Sequence, residues 1–96
     1  MDVTRFEWDP GKDFDNFARH GVSFFEAQHT FSDERCIVVE DADHSIDEQR
    51  YYCLGRVARG ILTVRFTWRA EVIRIIGAGF WRKGKAIYER ENALYR

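Results

Sequence analysis

Ninety-six residues, 45% hydrophobic and 16% aromatic, suffice for one domain spanning 1–96 and exclude a disordered chain. The net charge of −1 conceals a split: residues 1–48 hold 4 Lys+Arg and 13 Asp+Glu, a balance of −9, while residues 49–96 hold 11 and 3, a balance of +8. No apolar run has signal-peptide or membrane-spanning length, which leaves no membrane role and predicts a cytoplasmic location.

Arg5-Phe6-Glu7-Trp8 alternates polar and apolar residues and reads as a short strand with Phe6 and Trp8 inward. Asp9-Pro10 starts a helix: Asp caps free amides and Pro takes the first helical position. Phe14, Phe17 and Ala18 form its apolar stripe, and Gly21 ends it in the left-handed conformation. Ser23-Phe24-Phe25-Glu26 is a capping box opening a second short helix that reaches about Phe31.

Cys36-Ile37-Val38-Val39 is the next strand, followed by an acidic loop, Glu40 to Asp47. Ser45-Ile46-Asp47-Glu48 fits one capped helical turn there. Tyr51 to Gly55 is a strand, and Arg56 to Gly60 its hairpin turn. Ile61 to Trp68 alternates, with Leu62, Val64, Phe66 and Trp68 on one side and Thr63, Arg65 and Thr67 on the other. A turn at Arg69-Ala70 leads into Val72 to Ile76, and a final helix begins near Lys85. The order β-α-α-β-β-β-β-α predicts an α+β fold: an antiparallel-rich sheet with helices packed on one face.

That alternation makes a claim about chemistry. If the Leu62 side meets the helices, Arg65 faces away, and Arg50 and Arg74 on neighbouring strands join it on a basic surface. The plainer alternative is that these arginines keep an open sheet wet. Gly77 to Lys85 packs three glycines, two aromatics and three cations into nine residues. Such a loop suits a phosphate backbone, or equally a turn whose Phe80 and Trp81 cover the core edge. It is no P-loop, because Ala86 follows Lys85 where Ser or Thr is needed. Nor is Asp41 to Ile46 a calcium loop, because Ile46 stands where that loop needs Gly. Cys36 and Cys53 lack metal-site spacing and read as reduced core thiols, so no metal or cofactor is expected. His20, ending the first helix, is either a general base or a cation at the helix C-terminus.

Phe6-Glu7-Trp8-Asp9-Pro10, Arg19 to Phe24 with Glu26-Ala27, Asp43-His44-Ser45 with Glu48 and Arg50, Gly55-Arg56 and Ile73 to Ile76 occur in an order that resembles the BrnT family. These are ribonuclease toxins of bacterial type II toxin–antitoxin systems with a RelE-like fold, and the likeness covers nearly the whole chain. The resemblance implies a metal-independent endoribonuclease that inhibits translation, in which the ribose 2′-hydroxyl attacks the adjacent phosphate. It implies Arg50, Arg65 and Arg74 as phosphate and transition-state contacts, and His20 or Tyr88 for proton transfer. Arg82, Lys83, Trp81 and Arg56 would bind the RNA.

The implied partner is a BrnA-type antitoxin, a ribbon-helix-helix DNA-binding protein, in a dimer of heterodimers. No direct DNA binding by this chain is expected. One departure stands out: Gly79 occupies a position where many members carry Arg. It keeps open a second expectation, a non-catalytic RNA- or protein-binding module of the same fold.

Overall fold

The computed structural model describes residues 4–93. In chain order these form β1 (Arg5–Glu7), α1 (Pro10–His20), α2 (Phe24–Ala27), a 3-10 turn (Gln28–Ser32) and β2 (Ile37–Glu40). A second 3-10 turn (Ala42–His44), β3 (Tyr51–Val57), β4 (Gly60–Arg69), β5 (Val72–Gly79) and α3 (Arg82–Glu91) follow. The expected α+β order is present, and the sheet runs β1-β5-β4-β3-β2. Its pairings are antiparallel except β1 with β5, which is parallel.

Local chemistry sets the helix ends as expected. The Asp9 carboxylate accepts from the Gly11 amide at 2.9 Å, and Gly21 closes α1 at φ 69°. Ser23 Oγ accepts from the Glu26 amide at 3.0 Å to open α2. In the acidic loop the helical turn falls at Ala42–His44, earlier than expected. There the Ser45 hydroxyl donates back to the Asp41 carbonyl at 2.6 Å, so Ser45 closes a turn and does not cap one.

Strand register divides the sheet into two faces. Leu62, Val64, Phe66, Cys53, Ile73 and Ile75 pack with Val22, Phe24 and Ala27 into the main core. Here α2 and the turn after it cover the sheet. The opposite face carries a smaller cluster, Leu54, Ile61 and Tyr88, against which α3 lies. Gly84 lets α3 approach, since a Cβ there would run into Thr63 Oγ1. The helices therefore cover both faces, which corrects the single helical layer expected from the sequence. The physical reason is that the hairpin end of β3 and β4 is apolar on both sides, and α3 is the element left to bury the second.

Two further expectations change. Phe14 and Phe17 are 75% and 58% exposed, so the apolar stripe of α1 points outward. The buried α1 side chain is Asn16, 8% exposed, and its amide completes the sheet edge. Because β1 pairs β5 only through Val72, Ile73 and Arg74, the edge of β5 is open beyond that point. Asn16 Nδ2 donates to the Ala78 and Val22 carbonyls, each at 2.9 Å, and Asn16 Oδ1 accepts from the Ala78 amide at 3.1 Å. One side chain thus stands in for a missing strand. Trp68 is 48% exposed at the sheet's end, stacked edge-on against Tyr51 and Phe66 and not fully inward.

Cys36 and Cys53 are free thiols, in line with the expectation. Burial, and then the neighbouring Cys36, pushes the Cys53 thiol far above its ordinary value. The split in charge is partly cancelled within the fold. Glu7–Arg74 (2.9 Å), Glu26–Arg59 (2.6 Å) and Glu48–Arg69 (3.2 Å) each join the acidic half to the basic half.

Candidate active site

Alternation and register put Arg65 on the face away from α2, beside Tyr52 on β3 and Gly77 on β5. The register shifts by one residue between Arg65 and Phe66, leaving Ile76 unpaired, and this bulge lies at the Arg65 side chain. A cavity of about 220 Å³ opens there, lined by Arg65, Ile76, Gly77 and Trp81, with Lys12, Asp15, Asn16, Arg19 and His20 from α1. The Asn16 bonds to Ala78 hold that helix face over the cavity. The His20 and Trp81 rings meet edge to face with centroids 5.3 Å apart. Arg65 makes no ion pair among the described residues, so its charge is open to a ligand.

Gly79 has a physical explanation here. A Cβ at this position would lie 2.5 Å from the Trp81 indole, so the tryptophan fills the space that a side chain at 79 would take. The Arg that the family resemblance leads one to expect is replaced by an aromatic wall, and the cavity draws its cations from Arg65, Lys12 and Arg19.

The other expected residues divide into groups. Arg74 lies on the same face as Arg65, because it pairs with Thr67, but its guanidinium donates to Glu7 at 2.9 Å. Arg50, two residues before Tyr52, is half-buried, and its Nε is buried without a hydrogen-bond partner. Hydrogen bonds from Arg69 hold the Glu48 carboxyl below the usual carboxylate range, with Arg50 and Arg74 adding attraction. Arg74 is therefore held by Glu7, and Arg69 by Glu48, while Arg65 opens into the cavity.

Tyr88 is buried on α3, and its hydroxyl donates to Asp33 at 2.6 Å. Burial, then the hydrogen bond to Asp33, raises its phenol above the ordinary value. It does not line the Arg65 cavity, and its bond to Asp33 ties α3 to the chain before β2. Arg56 lies over the Tyr88 ring, 5.9 Å from its centroid, and is likewise apart from Arg65 and His20.

Arg82 and Lys83 are exposed in the first turn of α3, whose N-cap, Trp81, makes no side-chain capping bond. Cations there oppose the helix dipole, while the uncapped amides favour an anion. A phosphate nearby would satisfy both. Lys83 and Trp81 also line a larger cavity of about 430 Å³, bounded across from α3 by Glu40, Asp41 and Asp43.

Lys12, Asp15 and Arg19 escaped the sequence reading, although their signal was present. With Asn16 they recur at helical spacing on the side of α1 opposite Phe14 and Phe17. Together the cavity residues supply cations for a phosphate, an imidazole for proton movement and an aromatic wall. The family described as ribonuclease toxin, BrnT, of type II toxin–antitoxin system matches residues 8–84. No curated protein matches the chain.

Proposed function

The chain belongs to the BrnT family of ribonuclease toxins of type II toxin–antitoxin systems, and from that membership we propose that it cleaves RNA at the cavity shared by Arg65, His20 and Trp81. The observation that carries this reading is an arginine with no ion-pair partner among the described residues, in one cavity with an imidazole and an indole. Arg65 grips the scissile phosphate, since a guanidinium keeps its charge and binds two phosphate oxygens at once. Lys12 and Arg19 add positive charge for the crowded phosphorane. His20 takes the proton from the ribose 2′-hydroxyl, which attacks the adjacent phosphorus; the 5′-oxygen leaves with a proton from solvent. The products are a 2′,3′-cyclic phosphate and a free 5′-hydroxyl, and no step as drawn uses a metal. Trp81 stacks on a neighbouring base.

In the cytoplasm the outcome is loss of translation, held in check by an antitoxin of BrnA type, with DNA contact left to that ribbon-helix-helix partner in a dimer of heterodimers. Exposed Phe14 and Phe17 offer such a partner an apolar foothold beside the cavity that Asp15 and Arg19 line. Inducing the chain alone in a bacterial host tests the reading. Growth arrest with RNA fragmentation is expected, abolished by Arg65→Ala and weakened by Arg74→Ala. Arrest that survives Arg65→Ala removes the site, whereas no arrest and no cleavage of purified RNA favours the binding module.

A further inference from the structure

The larger cavity lies on the same sheet face as the Arg65 cavity, and Trp81 lines both. Tyr52, which lines the larger one, is the register partner of Arg65 on the adjacent strand. A nucleotide with its phosphate at Arg65 therefore has room for a base on the far side of the indole. We propose that this second cavity seats an unpaired RNA base, guanine before the others; the inference rests on the RNA-cleaving reading above and gives that site its base preference.

Its walls suit a flat, partly apolar ring: Tyr52, Leu54, Ile87 and Trp81. Its polar groups argue against a second phosphate, because Glu40, Asp41 and Asp43 outnumber Lys83. A neutral ligand rich in N–H donors is the complement. Asp41 is occupied, accepting from the His44 ring at 2.9 Å and lying against Tyr52. Glu40 accepts from the Gln49 amide at 3.2 Å. Asp43 has no hydrogen-bond partner among the described residues and is exposed at the cavity's rim. At the cavity wall Thr63, only 5% exposed, leaves its hydroxyl oxygen buried without a partner.

Guanine meets this set best. Its N1–H and N2–H donate side by side to one carboxylate, as Asp43 offers, and its O6 accepts from Lys83. Uracil presents a single donor and would leave a carboxylate oxygen unpaired.

Calorimetric titration of the full chain with GMP, AMP, CMP and UMP tests the assignment. GMP is expected to bind about tenfold or more tighter than UMP, the discrimination typical of one bidentate pair. Asp43→Asn should reduce that ratio to about threefold or less, leaving a single hydrogen bond where two were made. Arg65→Ala should weaken all four nucleotides alike and preserve the ratio. Equal affinities, a preference that survives Asp43→Asn, or no binding at millimolar nucleotide overturns the assignment, whether or not RNA is cleaved. A guanine preference in a chain that cleaves nothing would keep the base site and sink the enzymatic reading instead.

Discussion

Asn16→Ala should be among the most damaging single changes on α1, although it removes a polar side chain. Its amide makes three hydrogen bonds of 2.9 to 3.1 Å, two of them to Ala78, and all are buried. Each such bond contributes about 1 kcal/mol net, and more where its loss strands a buried partner, so the substitution should cost about 3 kcal/mol. For a domain of this size that lowers Tm by roughly 12–24 °C. Urea unfolding followed by circular dichroism measures the loss directly.

Asn16→Asp gives a sharper control. It keeps the acceptor for the Ala78 amide but sets a carboxyl against two carbonyls, so its folded pKa must lie above the unfolded value of about 3.9. The folded state then holds the extra proton, and the variant should regain stability as pH falls through that raised pKa, relative to wild type at each pH. A cost for Asn16→Ala below about 1 kcal/mol would show that the amide does not anchor the sheet edge. So would an Asn16→Asp variant whose deficit ignores pH.

Other outcomes follow from particular contacts. Gly79→Ala should displace the Trp81 indole and reduce RNA cleavage while leaving the fold intact, because the new Cβ would lie 2.5 Å from that ring; cleavage kinetics beside a thermal melt check it. Tyr88→Phe should cost about 1 kcal/mol in urea unfolding, by removing a half-buried bond to Asp33, yet cleavage should persist. Ala70 and Glu71 turn between β4 and β5 at φ 49° and 69°, conformations that favour Asn and Gly. Ala70→Asn with Glu71→Gly should therefore raise stability by about 1 kcal/mol in thermal unfolding.

The pairing of Glu26 should also show in acid. A hydrogen bond from Arg59 leads the causes that hold this carboxyl below its ordinary value, so its contribution is complete above the unfolded carboxylate pKa. It should be lost as pH falls through the depressed folded pKa. Acid unfolding of Glu26→Gln, compared with wild type, would show the difference shrinking over that window.

The fold was legible wherever the local signal had one meaning. Asp9-Pro10, Gly21 and Ser23 mark helix ends by chemistry that tertiary context does not override, and the alternation of β4 put Arg65 on its observed face. The orientation of α1 was not legible in the same way. It carries two stripes at helical spacing, and hydrophobicity favours burying Phe14 and Phe17, but the open edge of β5 demands an amide. That demand depends on where β1 stops pairing, which no property local to α1 reveals. The second helical layer was hidden similarly: Gly84 reads as a loop glycine until Thr63 lies beneath it. At the candidate site, strand alternation put Arg65 on the face away from α2, and the structure brings His20 into the same cavity. Their separation from Arg74 was not legible, because Glu7 comes from the far end of the chain.

Analysis of RNA ends after incubation with the purified chain addresses the Arg65 cavity most directly. Wild-type protein should leave fragments ending in 2′,3′-cyclic phosphate, and Arg65→Ala should slow their release by about 10²–10³-fold, the usual cost of losing one transition-state contact. His20→Ala should slow it by about 10²-fold or more at an unchanged melting temperature. Intact RNA with wild-type protein, or cyclic-phosphate ends that appear equally fast with both variants, would contradict cleavage at this cavity.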